Sequence, residues 1–233
     1  MANIINIETS TEVCSASLSQ DGMVLCHHED YEGRNHATLL SVFLEDIMQY
    51  VKSREIKIDA VAVSIGPGSY TGLRIGLSEA KWLACGLDAP LIGVNSLQII
   101  AVSAMFSRFI EEKVLYVPMI DARRMEVYTA AYDTALTEHL EPKAMIIDNS
   151  SFADLLEHNI LMLCGNGSDK VREVLNDEVK HKNVRYISDI KPNAVDMIAL
   201  SELAFRKKQF IDLAYSTPLY LKEYEAKKPQ KAF

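Results

Sequence analysis

Four places along the chain carry groups that could grip an anion or move a proton. The first is Glu8-Thr9-Ser10-Thr11, a carboxylate followed by three hydroxyls. The second is SIGPGSYTGLRIG, Ser64 to Gly76, where Gly66 and Gly68 precede Ser69 and Thr71 and four of the ten glycines fall together. Asp121 in IDARR, and CGNGS with Gly165 and Gly167, are the other two. Free backbone amides where a strand turns into a helix hold phosphate well, so a glycine-rich turn is a candidate cradle. A lysine-bearing phosphate loop is excluded, because Gly72 is followed by Leu73 and Arg74. A dinucleotide fingerprint counted from Gly66 and Gly68 puts Thr71 where its last glycine belongs. Ser69 or Thr71 capping the next helix and free amides holding an anion both stay open.

Other chemistry is poorly supplied. The six histidines contain no i, i+4 pair: four residues after His36, in NHATLL, stands Leu40. His27 and His28 are neighbours on an expected strand and point to opposite faces. The four cysteines are widely spaced with no C-x-x-C, which suggests buried reduced thiols and a cytosolic chain. No nucleophile with an adjacent base is legible. Tyr70, Arg74, Glu79 and Lys81 read as a solvated or interface helix face, and Asp121, Arg123, Arg124 and Glu126 as partners across a turn.

The elements that must position these groups follow from periodicity. NIINIET and EVCSASLSQDGMVLCHHEDY read as three strands, the last two joined at Asp21-Gly22. Leu39, Leu40, Phe43, Leu44, Ile47 and Val51 recur at three and four, predicting an amphipathic helix over 36–52. AVAVSI is an apolar strand, followed by the glycine-rich turn, a helix to about Gly86, the strand PLIGV and a helix from Ser96 to about Arg108. The second half repeats this order from Val114: two strands about the Asp121 turn, a strand at 143–147, a helix at 151–157, and the strand of NILMLCGNGS. A short helix from Asp169 to Leu175, a strand from Val184 to Ile187 and a helix from Asn193 to Lys207 complete it. Two α/β units of like order predict an internally duplicated, two-lobed fold. Its lobes are expected at 1–108 and 109–215, with the tail 216–233 completing the first.

Composition is that of a globular chain, 48% hydrophobic and 24% charged. Six basic against twelve acidic residues put positions 1–106 at −6, and 18 against 20 put the rest at −2, together the −8 of the whole chain. A basic nucleic-acid surface on the first half is thereby disfavoured, and any RNA contact would use the second half, with Lys222, Lys227, Lys228 and Lys231. Nothing approaches the roughly 20 apolar residues of a membrane span.

On the glycine-rich helix, Gly72, Gly76, Ala80 and Ala84 are spaced by four and leave a bare ridge, overlapped by Leu73 and Leu77. Two helical glycines cost about 1 kcal/mol each against alanine, so something must lie close against them. That is either a neighbour within the lobe or a helix of a second chain.

The stretches INIETSTEVCSASL, HATLLSVFLEDIM, DAVAVSIGPGSYTGLRIGLSEAKWLACGLDAPLIGVNSL, VPMIDARRMEVYTAAY and STPLYLKEYEAKKP resemble, in order and spacing, the TsaB (YeaZ) family. That family is the dimerisation subunit of the bacterial machinery that installs threonylcarbamoyladenosine beside the tRNA anticodon. The resemblance spans nearly the whole chain, and GPGSYTGLRIG is its most specific piece. It implies an α/β, actin-like (ASKHA, ribonuclease H-like) fold of two lobes with mixed sheets flanked by helices. It further implies a non-catalytic, cytoplasmic partner of the transferase subunit TsaD, with the accessory ATPase TsaE in the complex, a homodimer when alone, tRNA contacted through the complex, and no membrane. The helices over 36–52 and 71–86 would form the interface through Leu39, Leu40, Phe43, Gly72, Leu73, Gly76, Ala80 and Ala84. No catalytic residue, metal or cofactor is required. Weak ATP or ADP binding would use Thr9, Ser10, Thr11, Gly66, Gly68, Ser69, Asp121, Gly165 and Gly167. Two competing readings are an independent ATP-binding enzyme of the same fold and an M22-type metallopeptidase. The second lacks the histidine that Leu40 replaces.

Overall fold

The computed structural model describes residues 2–33, 35–107, 113–175 and 182–222; Lys227, Lys228 and Lys231 lie outside them. Strands β1 (Asn3–Glu8), β2 (Cys14–Gln20) and β3 (Met23–Asp30) lead to helix α1 (His36–Ser53), β4 (Ala60–Gly66), α2 (Tyr70–Gly86), β5 (Leu91–Asn95) and α3 (Ser96–Ser107). The second half runs β6 (Val114–Asp121), β7 (Glu126–Tyr132), β8 (Glu138–Ile146), α4 (Ala153–Leu156), β9 (Ile160–Cys164), α5 (Ser168–Val174), β10 (Val184–Ile187) and α6 (Ile198–Arg206). The sheets are ordered β3-β2-β1-β4-β5 and, read from the matching edge, β8-β7-β6-β9-β10. In each, the first three strands pair antiparallel and the last two join in parallel. The identical order, with a helix after the third, fourth and fifth strand of each half, makes the fold a duplication of one α/β unit.

Local chemistry explains most element ends. Asp21 and Gly22 both take positive φ, 50° and 81°, which a two-residue hairpin requires. Helix α1 buries Leu40, Leu44, Ile47 and Val51, each contributing up to about 1.5–3 kcal/mol. Helix α6 starts later than the apolar period suggests, at Ile198 rather than near Asn193. The residues before it bond to the first sheet instead: Ala194 N–H donates to Ser15 Oγ (2.9 Å), Ser17 Oγ donates to the Ala194 carbonyl (3.2 Å), and the Asn193 amide donates to the Glu29 carboxylate.

The two halves exchange helices across the boundary expected at 108. One face of the first sheet packs Ile5, Ile7, Val61 and Val63 against α1 and α2. Its other face is covered by Ile99 and Val102 of α3 and by Met197 and Leu200 beside α6, which the second half supplies. Helix α3 turns Leu97, Ile100, Ala101 and Ala104 to Tyr116 and Tyr132 of the second sheet. Residues 212–222 then form a strap along α2. Lys81 Nζ donates to the carbonyls of Ala214 (3.0 Å) and Ser216 (2.8 Å), and Leu219 N–H donates to the Ile65 carbonyl (2.7 Å). Arg74 lies over the Tyr70 ring and donates to Tyr220 Oη (2.9 Å), and Lys222 reaches Glu126 on β7 (2.8 Å). Among the described residues, no helix is long and apolar enough to cross a membrane.

Candidate functional site

The glycine-rich turn brings two pieces of backbone together. A Cβ on Gly68 would fall on the Ser10 carbonyl oxygen, one on Gly72 on the Thr9 carbonyl oxygen, and one on Gly76 on Thr9 Oγ1. Thr9 Oγ1 donates to the Gly72 carbonyl (2.8 Å), and Ser69 N–H donates to the Ser10 carbonyl (2.7 Å). Ser69 is the N-cap, its hydroxyl accepting from Gly72 N–H at 3.2 Å. Thr11 Oγ1 accepts from Val13 N–H (3.4 Å), and Gly66, at φ 110°, makes room for the Leu219 carbonyl. The bare ridge of α2 therefore faces its own lobe. Gly72, Leu73, Gly76, Ala80 and Ala84 are buried, as is Leu40, so these six expected interface residues are corrected to core. The physical reason is the thickness of the β1–α2 contact, where Thr9 occupies the space a side chain would need.

The second lobe repeats the device. Gly165, at φ 89°, approaches the Met119 carbonyl, and Gly167 N–H donates to that same oxygen (3.1 Å). Asp121 accepts from Arg123 N–H (2.6 Å) and from Lys170 Nζ (2.5 Å), whose ammonium also reaches the carbonyls of Arg124 and Glu126. Between the lobes, Glu12 accepts from the Asn166 amide (3.3 Å) and pairs with Lys191 (3.4 Å). Thr11, Glu12, Asn166 and Lys191, among others, line what is left there, and no space large enough for a water molecule remains between them. Ligand pockets usually need roughly 300–1,000 Å³. Of the nine residues expected to cradle a nucleotide, Thr11 lines this space; the four glycines are met closely by neighbouring backbone and side chains, and Asp121 is held by Arg123 and Lys170.

Two carboxyls, Glu8 buried at the end of β1 and Asp196 half-buried just before α6, are shifted by burial. Burial pushes Glu8 up to about 7, against the Ser10 N–H that donates to its Oε1 (2.5 Å). Its Oε2 has no hydrogen-bond partner among the described residues. Burial likewise raises Asp196 to about 6. His36 Nε2 lies 3.1 Å from the Thr11 carbonyl, which occupies the one imidazole at the start of α1. Burial pushes the Cys14 thiol to about 12 and Cys164 higher still, as expected of inert core thiols, whereas Cys26 is half-buried and Cys85 exposed, against the expectation of four buried thiols.

Helices α1 and α2 each leave apolar side chains in water. Trp82 of α2 is 77% exposed and Val42 of α1 48%, while Leu39, Phe43 and Ile75 are half-buried against the core, the Phe43 ring stacked on His28 of β3 (5.4 Å). Ser41 Oγ donates to Glu79 (3.2 Å) between the two helices. Leu39 and Phe43 of the expected interface therefore remain accessible. Trp82, Val42 and Ile75 escaped sequence reasoning, although at 3.6 residues per turn Trp82 stands about 80° round the helix from Gly72 and about 120° from Gly76, off the bare ridge.

Comparison with known proteins bears on this geometry. The family model described as "TsaD: tRNA N6-adenosine threonylcarbamoyltransferase" matches residues 26–230. The protein named "tRNA threonylcarbamoyladenosine biosynthesis protein TsaB" of Bacillus subtilis is 29% identical over 96% of this chain and 95% of its own length. Its namesake in Escherichia coli is 40% identical over 55% of this chain and 54% of its own length, so that match spans about half of each. The chain belongs to the TsaB (YeaZ) family. The solved structure "YeaZ from Pseudomonas aeruginosa" matches with a TM-score of 0.75 and 24% identity, covering 95% of this chain and all of that one. It shows the same fold of two like α/β halves for this TsaB-family chain. The family model carries the name of the transferase, whereas the full-length relatives carry the name TsaB.

Proposed function

We propose that this TsaB-family chain is a cytoplasmic, non-catalytic subunit in the formation of threonylcarbamoyladenosine on tRNA. It binds and activates the transferase TsaD, works with the accessory ATPase TsaE, and pairs with itself when alone. The observation that carries this reading is the exposed apolar surface of α1 and α2, where Trp82 of α2 stands 77% exposed and Val42 of α1 48%. A large exposed aromatic amid apolar neighbours is the surface a partner desolvates. The closed interlobe cleft supports a role without chemistry: Glu12, Asn166 and Lys191 join one another across the space a substrate would need. Contact with tRNA is made through the complex, in keeping with a net charge of −8.

Trp82 is the sole tryptophan of the chain, so 5-fluorotryptophan labelling reports on this face alone. Its fluorine resonance should shift on adding TsaD, and threonylcarbamoyl transfer to tRNA by TsaD should depend on the chain. Product from the chain without TsaD, or an unmoved resonance in a complex that forms, overturns the reading.

A further inference from the structure

The other side of the first sheet carries a separate groove. It lies between the β2–β3 turn, the end of α3 and α6, encloses about 560 Å³, and falls within the usual range of binding sites, roughly 300–1,000 Å³. Its walls are apolar and stand in water: Phe106 is 79% exposed, Leu203 46% and Val24 44%. Two carboxylate side chains, Asp196 and Glu202, line it with one cation, Arg206, so that acids outnumber bases in the lining. Glu202 is 6% exposed, and its Oε1 has no hydrogen-bond partner among the described residues. Its other oxygen has Arg206 at 3.6 Å, an ion pair weakened by solvent because the arginine side chain is 72% exposed. A carboxylate held out of water with an unused oxygen is costly, and a cation delivered to it removes that cost.

We propose that this groove seats a lysine or arginine side chain presented by an apolar helical segment of a partner protein. A long aliphatic stem ending in a cation matches apolar walls above an acidic floor. A free amine would satisfy Glu202 but leave Phe106 and Leu203 in water. A second copy across a two-fold axis would set the same carboxylates against each other. A basic amphipathic segment covers the walls and neutralises the floor together. The site is independent of α1 and α2, which pack on the opposite face of the sheet.

The test uses the full chain and a fluorescently labelled amphipathic helical peptide of leucine and lysine, followed by anisotropy. The leucine–lysine peptide should bind at least about tenfold tighter than its leucine–glutamate counterpart, the scale of one charge-assisted hydrogen bond. Glu202→Gln should weaken it by a similar factor, and Leu203→Ser, an exposed change that leaves the core intact, should weaken it as well. Glu141→Gln removes an exposed charge on β8 and should leave binding as it was. Equal binding of the two peptides, or equal effects of Glu202→Gln and Glu141→Gln, overturns the proposal in favour of diffuse attraction. Displacement of the peptide by hexylamine at comparable concentration would make it a free-amine site. A self-association in sedimentation that Leu203→Ser abolishes would make it a contact between copies. Either result also overturns the proposal.

Discussion

Glu8 makes a pH-dependent debit that Glu8→Gln should erase. Burial moves its carboxyl from 4.5 in the unfolded chain to about 7 in the fold. Between those values the folded protein holds a proton that the unfolded chain has released, so stability falls as pH rises through the window and levels off above about 7. At 1.36 kcal/mol per pH unit, the span from 4.5 to about 7 is worth about 3 kcal/mol. The variant cannot ionise there. Whatever constant amount its amide costs beside the Ser10 N–H, the stability of the variant minus that of the wild type should climb by about 3 kcal/mol between about pH 4.5 and 8. Asp196, raised to about 6, slopes the same way in both proteins, and its charge is itself one of the causes that hold Glu8 up, so the difference reports Glu8 together with that coupling. Urea unfolding followed by circular dichroism at a series of pH values measures the difference directly. A difference that stays flat within about 0.5 kcal/mol, or that falls with pH, refutes the burial argument.

Gly76→Ala should act on stability, not on partner binding. Its methyl meets Thr9 Oγ1, and an overpacking cost of about 1–3 kcal/mol outweighs the roughly 1 kcal/mol that alanine gains in a helix. Thr9→Ala in the same chain should return part of that loss, and a double-mutant cycle additive within about 0.5 kcal/mol would deny the contact. Trp82→Asp should leave the unfolding midpoint nearly unchanged while weakening the TsaD complex by about 2 kcal/mol or more, read by calorimetry; undiminished affinity would move the interface off this face.

The order of strands and helices was legible because each half carries its own periodicities, and the Asp21-Gly22 hairpin and the helix of 36–52 needed only local chemistry. The destination of the glycine ridge was not. Spacing by four shows that a neighbour comes close, but Thr9 lies 63 residues from its hydrogen-bond partner Gly72, and nothing local distinguishes that neighbour from another chain. Of the nine residues expected around a nucleotide, Thr11 lines the space between the lobes, while the others are taken up in contacts such as Gly68 with Ser10 and Asp121 with Lys170. What fills that space, Glu12 with Asn166 and Lys191, depends on the approach of the lobes. Trp82 was hidden by attention to the bare side of its own helix.

The helix exchange sets an order on biosynthesis. The first sheet is translated by Asn95, yet α6, which covers its second face, does not begin until Ile198, and the bond from Leu219 to Ile65 comes later still. On the ribosome the early half must therefore wait with an apolar surface uncovered, a natural client for chaperones until the late residues emerge.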